Sequence, residues 1–230
     1  MNCYSQMDKN SVSAENQLKE NEVVKFDNPD GKGKRILFLG NSITLHGVKK
    51  DIGWEFCHGM AASSKEKDYV HLLENKISAI DSDAAFCVCQ GAHFEVNYNT
   101  PENIDYALWD EAKRFGADII VFRLIENCQK ALWNADNFKN ELEKFLSFLG
   151  ADKGAKIVMT TGFWKHPGDE FLREFASEKG MPIVELGDLG EMDEMKAIGL
   201  FEHHGVANHP GDKGMAEIAD RIFDKLKNLI

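Results

Sequence analysis

A serine and a histidine, far apart in the chain, carry the most pointed chemistry in this sequence. Ser42 ends the run Arg35-Ile-Leu-Phe-Leu-Gly-Asn-Ser42, and His209 opens His209-Pro-Gly-Asp-Lys-Gly-Met215. A hydroxyl raised on a tight turn, beside an imidazole that is neutral at pH 7, is what nucleophilic acyl transfer needs if the fold joins them. Each residue also has an ordinary reading. Gly-Asn-Ser is common turn chemistry, and a histidine ahead of a helix often caps or faces solvent. The serine motif is neither the Gly-x-Ser-x-Gly elbow nor a phosphate loop, because the glycine-lysine pairs precede the apolar run.

Other residues are expected on the same rim. Asn127 ends a later apolar run, where it serves either as a turn-former or as an amide donor to a developing oxyanion. Gly91 ends another, and without a side chain its N–H can approach a substrate oxygen. Trp54 and Trp164 lie beside glycines and read as aromatic walls or as core. Asn41 and Glu126 complete the set expected to touch substrate. Glu202-His203-His204 with His209 fits no standard zinc spacing, so no metal is expected there.

These residues need elements to position them. Apolar runs at 35–39, 84–89, 118–124, 156–160 and 182–186 read as five buried strands. Helical spacing marks 68–80, 103–115, 136–149, 170–179 and 213–229, with Gly150 and Gly180 as stops and Asp212 as a cap for the last. Strands alternating with helices imply a parallel sheet covered on both faces, with ligands beyond the carboxyl ends of the strands. Residues 1–33 read as a polar extension and 34–230 as the folded domain. The irregular stretch 43–67 is long enough to suggest a functional loop.

Composition narrows the partners. The chain has 230 residues, 43% hydrophobic, with a net charge of −11. An acidic surface disfavours nucleic acid and anionic membranes. No apolar stretch is long enough to span a bilayer, and no signal segment is visible, so a cytoplasmic location is expected. The five cysteines show no disulfide framework. Cys87 and Cys89 are expected on one strand face as small hydrophobes.

The motifs together resemble the SGNH, or GDSL-like, hydrolase superfamily of Ser-Gly-Asn-His esterases, lipases and acylhydrolases. Gly40-Asn41-Ser42-Ile43-Thr44 matches the first block, and His209 with Pro210-Gly-Asp-Lys-Gly-Met-Ala-Glu-Ile-Ala219 matches the last. Gly91 falls on the second block, with a poorly matching flank. Ile125-Glu126-Asn127 falls on the third, with the glycine lost. The resemblance implies a three-layer α/β/α, flavodoxin-like domain whose five parallel strands run in the order 2-1-3-4-5. It also implies a serine esterase with Ser42 as nucleophile, His209 as base, and Ser42, Gly91 and Asn127 as the oxyanion donors. No cofactor is implied. A small-molecule or carbohydrate ester, such as an O-acetylated sugar, is the expected substrate, and a non-catalytic binding module is the alternative. The family's acid, three residues before the histidine, is replaced here by Val206. A backbone carbonyl near Val206 is the favoured substitute for orienting His209, with Glu202 the other candidate. Val206→Asp is expected to restore the family's arrangement and raise kcat.

Overall fold

The computed structural model describes residues 23–230. Its centre is a six-stranded sheet in the order β1-β3-β2-β4-β5-β6. The strands are β1 (Val24–Asp27), β2 (Arg35–Gly40), β3 (Ala85–Gln90), β4 (Ile119–Arg123), β5 (Lys156–Thr160) and β6 (Ile183–Val184). β2 to β6 are parallel, and they are the five strands expected from the apolar runs, in the expected order. β1 adds an antiparallel edge, pairing Val24 with Cys89 and Asp27 with Phe86. Its residues fall within the stretch expected to be an extension. β1 is mostly exposed and partly charged, so no apolar run announces it. Residues 1–22 of that stretch, Cys3 included, lie outside the described residues.

Among the described residues, seven α-helices flank the sheet: α1 (Tyr69–Ser78), α2 (Ala92–Asn97), α3 (Asp110–Phe115), α4 (Ala135–Leu149), α5 (Gly168–Lys179), α6 (His204–Ala207) and α7 (Asp212–Leu226). Strand alternation sends Ile36, Phe38 and Val121 to a core shared with α1 and α7. Leu37, Leu39, Ile120 and Phe122 go to a second core with α2 to α5. The result is a three-layer α/β/α sandwich, with each parallel strand apolar on both faces. Cys87 and Cys89 share the second core as buried free thiols. Among the described residues, no helix is long and apolar enough to cross a membrane.

Local differences have local causes. The helix expected at 103–115 begins instead as a 3₁₀ turn, Tyr106–Trp109, started by the Asp105 carboxylate accepting from the Ala107 N–H. α2 has six residues, too few for periodicity to mark. Gly150 and Gly180 do close α4 and α5 with φ of 116° and 64°, which glycine adopts without a Cβ penalty. Asp212 is not the cap of α7; Gly211 holds that place. The Asp212 carboxylate instead accepts from the Ser63 N–H and hydroxyl at 2.8 and 2.7 Å and pairs with Lys67, tying the 43–67 loop to α7.

Candidate active site

Ser42 is presented by a tight turn after β2. The turn closes through Asn41 O, which accepts from the Thr44 and Leu45 N–H groups at 2.8 and 3.0 Å. Gly40 is required by crowding: a Cβ there would lie 1.8 Å from Thr44 Oγ1. The Ser42 carbonyl accepts from the Met60 N–H at 2.8 Å, so the long loop also supports the Ser42 turn.

His209 is held by backbone pairing before α7. Its carbonyl accepts from the Ala197 N–H at 2.9 Å, and Gly211 N–H donates to Met195 O at 3.0 Å. These contacts bring Nε2 to 2.8 Å from Ser42 Oγ. On the other side of the ring, Nδ1 lies 2.7 Å from the Gly205 carbonyl. A carbonyl only accepts, so Nδ1 carries the proton and the Nε2 lone pair faces the hydroxyl. Burial, with further contributions from His46 and Arg123, pushes the His209 pKa down to about 4, against the opposing Gly205 bond. The imidazole is therefore a neutral, weak base.

Glu202 is exposed and forms no bond to His209, whose Nδ1 partner is the carbonyl. Val206 is buried in a small cluster with Trp54, Met60, Ala61, Ala197 and Phe201. Its side chain is committed to apolar packing, so the expected gain from Val206→Asp is replaced by a burial cost.

Under Ser42 lies a buried polar network. Asn41 is 1% exposed. Its Oδ1 accepts from Arg123 Nη1 at 3.1 Å, and its Nδ2 donates to Glu95 Oε1 at 3.1 Å and Glu126 Oε2 at 2.6 Å. Glu126 Oε1 pairs with Arg123 and accepts from the Phe163 N–H at 2.9 Å. Asn127 is exposed, with its Nδ2 2.6 Å from Glu95 Oε2 and its N–H 3.3 Å from Glu95 Oε1. Burial and the neighbouring Glu126 charge raise the Glu95 pKa above the usual carboxylate range, while these donors pull the other way.

Several expected roles change. The Asn41 and Glu126 side chains are almost fully covered and bonded within this network. Trp54, within the 43–67 loop, is fully buried against Met60, Ala61, Val206 and Phe201, with Nε1 donating to His46 O. Trp164 does reach the site, edge-on to His209 with ring centroids 5.1 Å apart. Gly91 cannot supply its N–H to a substrate, because that N–H donates to Gly40 O at 2.6 Å. Its lack of a side chain serves packing instead, since a Cβ would lie 2.8 Å from Leu124. Arg123 and Glu95 escaped the sequence reading. The one visible signal was a charge closing an apolar strand, followed by Glu126 three residues on.

No known protein family's sequence profile matches the chain, and no curated protein sequence matches it. Solved structures do. A GDSL-like lipase from Parabacteroides merdae superposes with a TM-score of 0.55 at 15% identity, covering 87% of this chain and 98% of that one. TesA superposes with a TM-score of 0.53 at 15% identity, covering 86% and 100%. A family two carbohydrate esterase from Cellvibrio japonicus gives 0.50 at 15% identity, covering 86% of this chain and 62% of that longer one. The topology, the strand order and these superpositions agree: this chain has the fold of the SGNH, or GDSL-like, hydrolases.

Proposed function

We propose that this protein is a serine ester hydrolase. The observation that carries the reading is the Ser42 Oγ to His209 Nε2 contact of 2.8 Å, with the ring held from behind by Gly205 O. Nε2 takes the serine proton as Oγ attacks the ester carbonyl. The oxyanion is met by the Ser42 N–H and the Asn127 carboxamide, which has a second N–H beyond the one bonded to Glu95. The imidazolium then protonates the leaving alcohol. Water attacks the acyl-serine by the same route in reverse, restoring the free enzyme. Besides the ester and water, these steps use only groups of the chain itself.

A small-molecule or carbohydrate ester, with O-acetyl groups first among them, is the proposed substrate class. The fold's occurrence in a carbohydrate esterase supports it by analogy. The absent acid has a chemical consequence. A neutral carbonyl stabilises the imidazolium less than a carboxylate would, so turnover is expected to be modest.

Labelling with a fluorophosphonate probe tests the reading directly. Covalent capture at Ser42, abolished in Ser42→Ala together with hydrolysis of a short-chain aryl ester, is the expected result. A chain that takes no probe at Ser42 and hydrolyses no ester would instead be a binding module on this fold.

A further inference from the structure

One fully buried acid beside Asn41 and Asn127 is not used by the hydrolysis steps. Glu95 sits on α2 and is 0% exposed. Burying a carboxylate this completely is costly unless its oxygens are satisfied. Here they are satisfied by donors from two separate segments: the Asn41 carboxamide, the Asn127 N–H and the Asn127 carboxamide. The same side chain thus reaches the turn that carries the nucleophile and the residue assigned to the oxyanion.

We propose that Glu95 is the positioning residue of the oxyanion site, its carboxylate dictating which way the Asn127 carboxamide faces. This rests on the ester-hydrolase reading above. A carboxamide has two nearly isosteric ends, one donating and one accepting. An exposed asparagine with no partner turns either end toward the substrate. A carboxylate is acceptor-only, so it accepts the NH2 end and rejects the carbonyl. With Nδ2 held 2.6 Å from Glu95 Oε2, one N–H is spent on the carboxylate and the other is left for the substrate oxygen. Flipped, the same side chain would offer a lone pair to a developing negative charge. The backbone contact from the Asn127 N–H to Glu95 Oε1, at 3.3 Å, fixes the residue at its root as well.

The chain shows why the task falls to α2. The glycine that commonly precedes this asparagine in the resembling family is Ile125 here, fully buried in the second core. Gly91, which starts α2, has its N–H bound to Gly40 O and so adds no donor. The carboxamide therefore carries more of the oxyanion's stabilisation, and its orientation matters correspondingly more.

A double-mutant cycle tests the proposal. Glu95→Gln is close to isosteric but replaces one acceptor with a donor. It is expected to lower kcat for an aryl ester by about 10²-fold while leaving KM nearly unchanged, because the contact strengthens in the transition state. In an Asn127→Ala background the same substitution should change kcat by less than about twofold, since nothing remains to orient. An equal loss in both backgrounds, or a loss confined to KM, would overturn the proposal. A measurement on the wild-type protein decides the matter if Glu95→Gln fails to fold. One Asn127 carboxamide proton should be shifted strongly downfield and protected from exchange by its bond to the carboxylate. Two protons at ordinary positions would show that the side chain is not held. This measurement does not depend on turnover, so it stands apart from the probe-labelling result that decides the hydrolase reading.

Discussion

The two sides of the Ser42 hydroxyl are built on different physics. Behind His209 stands one neutral carbonyl, Gly205 O, on a half-buried four-residue helix. Beneath Ser42 and Asn127 stand three ionisable side chains, Glu95, Arg123 and Glu126, cross-linked through Asn41. The comparison shows where the protein places its charge. Among the described residues no acid braces His209, with Val206 standing three residues before it, while buried carboxylates brace the Ser42 turn and Asn127. A neutral brace sets the ring's tautomer and angle but adds little to the base strength. A charged network cross-linked through Asn41 restrains its members, although Arg123 Nε has no hydrogen-bond partner among the described residues, and removing one member leaves another charge unpaired.

The largest effect expected from this asymmetry is on stability. Arg123→Leu leaves Glu126 buried without its cation and Asn41 without its donor, at a cost of about 3–5 kcal/mol in denaturant unfolding. A loss below 1 kcal/mol would mean that the network is not the rigid side of the site. Next is Asn127→Ala, expected to lower kcat by about 10²–10³-fold with little change in KM, as seen in steady-state kinetics. An effect on KM alone would make Asn127 a ground-state contact.

Val206→Asp probes the neutral side. Because Val206 packs against Trp54 and Phe201, the carboxylate should destabilise the fold by about 1–3 kcal/mol without raising kcat. A faster, equally stable enzyme would show that the loop can re-aim position 206 toward His209. Glu202→Gln, at an exposed position away from the ring, is the smallest change and should leave kcat within about twofold.

The pH profile separates the two sides. His209 must be neutral to act, so activity falls as pH drops through its pKa. Facing groups are His46, Arg123, Glu126 and the Trp164 ring, and burial sets the value near 4 instead of about 6.5. Glu95, facing Glu126, Asn41 and Asn127, takes up its proton at higher pH than an ordinary carboxylate. Protonation would weaken its hold on Asn127. The wild-type kcat/KM should therefore fall in two steps on acidification, and Asn127→Ala should keep only the lower one. A single step near 6.5 in both proteins would contradict the desolvated imidazole. The same His209 shift bears on stability. The unfolded chain binds that proton near 6.5 and the folded one near 4, so acidification across this window favours unfolding.

The local pattern of residues was enough for the sheet and for the two ends of the Ser42–His209 contact. Apolar runs such as Ile36–Leu39 and Ile119–Phe122 are buried on both faces, and burial on both faces is what a continuous run records. Gly40-Asn41-Ser42 reads as a turn because its crowding is local: Thr44, four residues away, is the atom set that excludes a Cβ at Gly40. The edge strand β1, being exposed and mixed in polarity, leaves no such record. What only the tertiary structure decided is how polar groups are shared among distant segments. Nothing in the run Cys89-Gln-Gly-Ala-His-Phe-Glu95 shows that its acid will meet Asn41 and Asn127, because a carboxylate's partners depend on three-dimensional neighbours and not on periodicity. The same holds for Trp54, whose place beside glycine suits a rim loop equally well but which the fold buries against Phe201. It holds too for His209, whose orienting group is a backbone carbonyl, an atom every residue possesses and no sequence pattern can distinguish.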